Sequence, residues 1–228
     1  MKTLNPKLVP LLEEKYGPKW WPVDYPEEIS KDSFKNLIIT VLSQNTSELN
    51  CVRAYRGLTA KLKVEPNVLA RAKEADIREA IRSGGLYNVK AKRIKQVSKA
   101  VIEKFGGSLA PILALPKQEA REKLMELPGI GPKTADVLLG SRQGYSQVFV
   151  IDTHMDRISK RIGLVKPDTK YEEIQKATQN FIPLDKGERV GGLFWLLAKY
   201  TCRAQNPKCK ECPIIDVCDY GQRTKTEK

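Results

Sequence analysis

The sequence lacks the features of several common protein classes. It has no uninterrupted apolar run long enough to span a bilayer, and residues Met1 to Pro6 do not read as the start of a signal peptide. Its single histidine, His154, excludes a metal site built from several histidines and is expected to form a structural hydrogen bond. These absences predict a protein with no membrane association that is cytoplasmic, or nuclear in a eukaryote.

Signals for β-structure are also missing. No segment shows a sustained two-residue alternation of apolar and polar side chains, and no Gly-Asn hairpin signal is present. Apolar residues instead recur at helical spacing, as in the stripe from Phe34 to Leu42 behind a cap at Asp32 or Ser33. Helices are also predicted from Asn88 to Gly106 and over residues 7–16, 48–62, 76–82, 117–126, 133–140, 153–162, 171–181 and 188–200. The sequence therefore predicts an all-α fold.

The charge balance is strongly positive. The 228 residues contain 40 Lys and Arg against 27 Asp and Glu, a formal net charge of +13. Hydrophobic residues make up 41% of the chain, enough for a folded core. A chain this basic attracts polyanions such as nucleic acid or an anionic membrane, although a Lys-rich soluble protein gives the same count.

Four of the five cysteines are clustered near the end of the chain. Cys202, Cys209, Cys212 and Cys218 have the spacing C-x6-C-x2-C-x5-C. In a reducing compartment this pattern favours a metal site over disulfides. The spacing alone is compatible with one tetrahedral zinc ion or with one iron–sulfur cubane. Cys51 lies apart and is expected to be buried as a small hydrophobe.

A glycine-rich turn separates two helical windows at Leu127-Pro-Gly-Ile-Gly-Pro-Lys-Thr-Ala135. Glycines allow a sharp turn and close approach to another surface, and Pro132 suits the first turn of a helix. The N–H groups at that helix start form an anion site that fits a DNA phosphate. The predicted DNA contacts are Gly129, Ile130, Gly131 and Thr134; the alternative is an ordinary tight turn between packed helices.

Two residues have the chemistry of catalytic groups. Lys133 follows the turn directly and is either one more cation near a phosphate or a nucleophile, because a helix N-terminus and neighbouring cations favour the neutral form of an amine. Asp152 precedes a predicted helix and is either an N-cap or a catalytic carboxylate. Asp136 is expected to occupy a solvated helix position.

These segments together resemble endonuclease III and the wider helix-hairpin-helix DNA glycosylase superfamily, in its iron–sulfur branch. The resemblance rests on the turn at residues 127–135, Val150-Ile-Asp-Thr-His-Met-Asp-Arg157, Tyr200-Thr-Cys202 with the last cysteines, Gly85-Leu-Tyr-Asn88 and Leu42-Ser-Gln-Asn-Thr46. It implies a two-lobed all-α fold. Residues 32–148 would form the lobe with the helix-hairpin-helix motif, and residues 1–31 plus 149–220 the lobe with the iron–sulfur cluster. A flexible tail would follow at 221–228, and the active-site cleft would lie between the lobes.

The resemblance also implies roles for individual residues. Lys133 corresponds to the Schiff-base lysine and Asp152 to the aspartate that faces the sugar. The four cysteines correspond to the ligands of a [4Fe–4S] cluster. Leu86 corresponds to the apolar wedge against the orphaned base, and Gln44 or Asn45 to the polar plug, with an ungapped alignment favouring Asn45. Further phosphate contacts are expected from Lys90, Lys92, Lys208 and Lys210.

The implied function is base-excision repair by a monomeric glycosylase with AP lyase activity. Its partner would be double-stranded DNA with a damaged or mismatched base, associated with the nucleoid in a prokaryote. Oxidised pyrimidines are the expected substrates. The alternatives are a mismatch-specific thymine or uracil glycosylase acting opposite guanine, a non-catalytic DNA-binding module, and a zinc-stabilised interaction domain.

Overall fold

The computed structural model describes residues 2–19, 25–140, 149–182 and 187–226, and these residues form helices and turns without any β-strand. The predicted all-α class is therefore confirmed. The fourteen helices of this part of the chain are α1 Leu8–Tyr16, α2 Glu28–Lys31, α3 Ser33–Ser43, α4 Glu48–Lys61, α5 Pro66–Arg71, α6 Glu74–Ala80, α7 Tyr87–Phe105, α8 Ala110–Leu113, α9 Lys117–Met125, α10 Pro132–Gly140, α11 Thr153–Ile162, α12 Tyr171–Phe181, α13 Gly187–Tyr200 and α14 Asp219–Thr226.

The chain divides into two compact units, Pro22–Tyr145 and Met1–Trp21 with Ser146–Lys228. The two functional lobes that the resemblance implies, with an active-site cleft between them, remain a prediction. No helix in the described ranges is long and apolar enough to cross a membrane.

The unit Pro22–Tyr145 is organised around the long helix α7. Its apolar face, which includes Ile94, Val97 and Val101, is fully buried. Helices α5 and α6 pack against α7, while α3 contacts both α7 and α10. Helix α3 begins where the sequence predicted, because the Asp32 carboxylate accepts hydrogen bonds from the Phe34 and Lys35 amides at 2.8 and 3.0 Å.

The unit formed by the two ends of the chain has its own core. Helix α13 packs against α1 and α11, and α11 contacts α12 and α14. The core side chains of these helices include Leu12, Tyr16, Ile158, Phe181 and Phe194. The Tyr16 hydroxyl donates a hydrogen bond of 2.6 Å to Thr201 Oγ1, which ties α1 to the start of the cysteine-rich segment.

The flexible tail expected from residue 221 is wrong within the described residues. The chain remains helical from Asp219 to Thr226. Gly221 is buried, and the Gln222 side chain donates a hydrogen bond of 3.0 Å to the carbonyl of Ile215. Contacts with the cysteine-rich segment therefore order a stretch whose composition alone suggested fraying.

Candidate functional site

The glycine-rich turn joins α9 to α10 and leaves one side open. Gly129 has a φ of +72°, in the left-handed region that favours glycine. A Cβ at Gly131 would meet no atom within 4 Å, so the backbone is accessible there. Because the first N–H groups of a helix have no intrahelical acceptor, the start of α10 has the chemistry to bind an anion, and the predicted phosphate contact there remains a prediction.

The Ile130 side chain anchors the glycine-rich turn. It is only 4% exposed, and the Ile130 amide donates a hydrogen bond of 3.1 Å to the carbonyl of Leu127. The side chain therefore belongs to the core, as an apolar side chain between two packed helices does, and contact of this residue with DNA remains a prediction.

Lys133, Thr134 and Asp136 occupy different environments in the first turns of α10. The Lys133 side chain is exposed, whereas Thr134 is buried. Asp136 is also buried, and its carboxylate forms an ion pair of 3.1 Å with Arg121 of α9. The expectation of a solvated Asp136 is wrong, because the pair with Arg121 compensates for burial of the charge.

Gln44, just after α3, is linked by its side chain to the glycine-rich turn. Its Nε2 donates to the carbonyl of Gly129 at 3.3 Å and to Thr134 Oγ1 at 3.2 Å. Its Oε1 accepts a hydrogen bond of 2.7 Å from Arg93 Nη1. A Cβ at position 129 would lie 2.2 Å from Arg93 Nε, so the arginine side chain also requires glycine there. Gln44 and Arg93 together connect α3 and α7 to the turn.

Asn45 and Leu86 are exposed and have strained backbones. Their φ angles are 51° and 48°, a region that non-glycine residues seldom adopt. Leu86 is 55% exposed, although it is a large apolar side chain. Each such residue costs of order 1–3 kcal/mol and tends to occur at functional sites. Asn45 and Leu86, both predicted to insert into DNA, therefore share an exposed side chain and a strained backbone. Gln44, the other candidate for the plug, has neither feature.

The buried position of Lys90 differs most clearly from the sequence prediction. It is only 2% exposed, and its Nζ donates hydrogen bonds to the carbonyl oxygens of Leu42 at 2.7 Å and Gly84 at 2.9 Å. Burial lowers the pKa of Lys90, opposed in part by the nearby Cys51. The predicted phosphate contact by Lys90 is wrong because both of its acceptors are interior carbonyls. Lys92 lies exposed on the same helix.

Asp152 caps α11 and also makes a second contact. Its Oδ1 accepts hydrogen bonds from the amides of His154 and Met155 at 2.9 and 2.8 Å. Its Oδ2 accepts a hydrogen bond of 3.0 Å from the indole Nε1 of Trp195 on α13. Sequence reasoning missed Trp195, because an aromatic residue within an apolar helix reads as core.

His154 forms the structural hydrogen bond expected of it. Its Nδ1 lies 3.1 Å from Arg157 Nη2. Since a guanidinium only donates, Nδ1 is the acceptor and a neutral His154 carries its proton on Nε2. The His154 ring also packs edge-on against Trp195, with 5.7 Å between ring centroids.

The four clustered cysteines line one small cavity together with Thr201, Ile215, Tyr220 and Gly221. Within the described ranges, no three His, Cys, Asp or Glu side chains are grouped so that they could hold a single metal ion. Two sulfurs accept hydrogen bonds of 3.4 Å: Cys202 from Arg161 Nη1 and Cys218 from the Gly221 amide. Four cysteines around one cavity are a donor set that suits an iron–sulfur cluster.

The two lysines predicted beside these cysteines have exposed side chains. Lys208 lies 3.6 Å from the Glu211 carboxylate, and its backbone amide donates a hydrogen bond of 2.9 Å to the carbonyl of Thr201. Lys210 follows Cys209 in a short 3-10 turn. Their contact with DNA remains a prediction.

Comparisons with known proteins agree with these features. Residues 38–184 match the HhH-GPD superfamily of base excision DNA repair proteins. The chain is 36% identical over 193 residues to endonuclease III of Thermotoga maritima, covering 84% of this chain and 85% of that protein. It is 30% identical over 220 residues to endonuclease III of Bacillus subtilis, covering 96% and 95%. A solved trapped covalent intermediate of endonuclease III with DNA is similar to it, with a TM-score of 0.78, 26% identity and coverage of 98% and 100%.

Two lysine substitutions on α7 test the different roles of Lys90 and Lys92. Lys90→Met leaves two interior carbonyls unpaired, at a cost of about 1–3 kcal/mol. Since 1 kcal/mol shifts the Tm of a chain of this size by roughly 2–4 °C, we expect a Tm lower by several degrees. The slope of log Kd for duplex DNA against log salt should not change.

The matched control is Lys92→Met. If Lys92 neutralises a phosphate, its loss reduces that slope by about 0.9, and the Tm should stay close to that of the unsubstituted protein. An equal fall in slope for Lys90→Met would show that Lys90 reaches the DNA after all.

Proposed function

This chain belongs to the HhH-GPD superfamily of base excision DNA repair proteins and is a DNA glycosylase. On that premise, we propose that it is bifunctional: it excises oxidised pyrimidines and then cleaves the strand as an AP lyase. The observation that carries the proposal is the exposed Lys133 on the first turn of α10, directly after the open glycine-rich turn. A primary amine beside a phosphate site is what Schiff-base chemistry on a nucleotide requires.

The reaction needs the damaged nucleotide outside the base stack, since C1′ of its sugar is not accessible within the duplex. The Asp152 carboxylate stabilises positive charge that develops on the sugar and helps to activate the amine. The Lys133 amine bonds to C1′ while the C1′–N bond to the base breaks, and the base leaves with that electron pair and takes up the proton that the amine loses. The C1′–O4′ bond then opens, O4′ takes up a proton as a hydroxyl, and C1′ becomes a protonated imine of Lys133. This imine makes the 2′ proton acidic, and its loss expels the 3′ phosphate by β-elimination.

The support for Asp152 in this role comes from its hydrogen bonds. An N-cap needs only one carboxylate oxygen, and Oδ1 already accepts both amides of the first turn of α11. Among the described residues, Oδ2 has one donor, Trp195, which leaves a lone pair of that oxygen for a further partner. Capping and catalysis are therefore compatible in the same side chain.

We assign the plug to Asn45 and the wedge to Leu86. The polar atoms of Gln44 are already bonded to Arg93, Gly129 and Thr134, so its insertion into DNA would break three hydrogen bonds. In the part of the chain that the structure describes, no hydrogen bond links the exposed Asn45 side chain to the turn. An exposed apolar Leu86 is suited to stacking against the orphaned base.

We assign Cys202, Cys209, Cys212 and Cys218 to a [4Fe–4S] cluster, because they line one cavity and lie close together in sequence with the spacing C-x6-C-x2-C-x5-C. When bound, the cluster would supply four iron–thiolate bonds that fix the segment carrying Lys208 and Lys210. Phosphate contacts by these lysines, and by Lys92, belong to the same proposal. The partner is double-stranded DNA with a damaged base, bound by a monomer in the compartment that holds the DNA.

The alternative function is removal of thymine or uracil opposite guanine. It uses the same fold and the same phosphate grip, so the distinction depends on the base that fits the site rather than on the residues described above.

Borohydride trapping tests the lysine mechanism and the substrate together. Borohydride reduces the imine to a stable amine, so the protein should become covalently attached to a duplex with one thymine glycol. Lys133→Gln should abolish the adduct and strand cleavage while DNA binding is retained, and Lys92→Gln should still form the adduct. Adduct formation by Lys133→Gln would refute the assignment, and preferential trapping on a G·T duplex would favour the mismatch alternative.

Substitutions at Gln44 and Asn45 test the plug. Asn45→Gly removes the side chain and tolerates the positive φ. It should slow excision from a duplex by up to about tenfold, equivalent to one or two hydrogen bonds, with little change in Tm. Gln44→Ala should lower the Tm because it breaks the link to the glycine-rich turn. The assignment is reversed if Gln44→Ala keeps its Tm and Asn45→Gly excises at the normal rate.

Metal analysis tests the cluster. Protein purified without oxygen should be brown and contain iron and acid-labile sulfide in equal amounts. Cys212→Ser should lower the content of both, whereas Cys51→Ser, at a buried cysteine outside the cavity, should retain them. A colourless protein with zinc and no sulfide would overturn the assignment.

A further inference from the structure

Trp195 contacts the proposed catalytic aspartate through a single directed bond. Its indole Nε1 donates to Asp152 Oδ2 at 3.0 Å, from α13 to the residue that caps α11. The indole nitrogen is a donor only, so the direction of this bond is fixed. The ring is half-buried rather than enclosed in the core.

The geometry of the carboxylate explains what this bond does. The amides of His154 and Met155 donate to Oδ1 at 2.9 and 2.8 Å, which restrains the carboxylate from one side. Hydrogen bonds tolerate a range of angles, and the terminal torsion of an aspartate is broad, so the cap alone still allows limited rotation about the Cβ–Cγ bond. A donor on Oδ2 narrows that rotation from the other side of the carboxylate.

The surroundings of Trp195 keep its N–H in place. The His154 ring lies edge-on to the indole at 5.7 Å between centroids. The Lys199 ammonium lies 4.6 Å from the indole centroid, within the distance for a cation–π interaction. The N–H donor is thus part of a packed group and is not a freely rotating side chain.

We infer that Trp195 is a positioning residue for Asp152: its N–H orients Oδ2 so that the remaining lone pair of that oxygen points to the sugar of the flipped nucleotide. This inference rests on the proposed role of Asp152. Trp195 would contribute to base release without touching the reacting atoms. It does so by orienting the Asp152 charge in advance, because a preorganised charge stabilises a transition state better than one that must reorient.

A double-mutant cycle tests the inference. Single-turnover excision from a thymine glycol duplex is measured for the unsubstituted protein, Trp195→Phe, Asp152→Asn and the double variant. Trp195→Phe removes the N–H and keeps an aromatic ring, and we expect excision slower by about 10- to 100-fold, the range for one hydrogen bond to a charged group. In the Asp152→Asn background the same change should have less than about a twofold effect, since the charge to be oriented is gone.

A structural role would give a different result, because loss of packing slows excision by the same factor in both backgrounds. That outcome, or excision by Trp195→Phe at the normal rate, overturns the inference. Trp195→Leu provides the matched control for the ring. A loss equal to that of Trp195→Phe supports the N–H as the acting group, and a loss seen only in Trp195→Leu overturns it.

The cycle also separates this inference from the proposed function. If Asp152→Asn alone excises at the normal rate, the catalytic role of Asp152 fails and the inference fails with it. If Asp152→Asn is slow and Trp195→Phe acts independently, the role of Asp152 survives and only the inference on Trp195 is lost.

Discussion

The buried ammonium of Lys90 is the interaction on which the proposed DNA-binding surface of residues 22–145 depends. It joins the carbonyl oxygens of Leu42 and Gly84, which directly precede the segments carrying Asn45 and Leu86. A buried cation without a carboxylate is costly unless its hydrogen bonds are satisfied, so movement of either segment away from Lys90 is opposed. Two loops that are distant in sequence therefore take their positions from one side chain of α7.

Arg93, one helical turn further along α7, extends the same constraint to the glycine-rich turn through Gln44. The proposed wedge, plug and phosphate grip are thereby held by one helix before DNA is bound. This rigidity accounts for the strained backbones of Asn45 and Leu86: a positive φ costs of order 1–3 kcal/mol, and it persists when surrounding bonds leave no relaxed alternative.

Much of this architecture could be predicted from the sequence, because helix periodicity and caps are local signals. The starts at Asp32 and Asp152 followed from capping chemistry, and the turn at 127–135 from its glycines. Lys90 and Asp136 were misjudged because charged residues were taken to be solvated. Lys90 lies four residues before Ile94 in the apolar stripe of α7, and this spacing did indicate burial. The bond from Trp195 to Asp152 joins residues far apart in sequence and leaves no local signal.

Helix α11 connects the proposed catalytic carboxylate of Asp152 with the cysteine-rich segment, both in the unit formed by the chain ends. Asp152 caps its N-terminus, while Arg157 and Arg161 in its later turns donate to the carbonyl of Cys202, and Arg157 also to that of Ala198 near the end of α13. Helix α13 carries Trp195, whose N–H reaches back to Asp152. An ordered cysteine segment therefore supports the end of α13, the helix whose Trp195 donates to the Asp152 carboxylate. Through these contacts, the proposed cluster would stabilise the geometry on which the proposed base release depends.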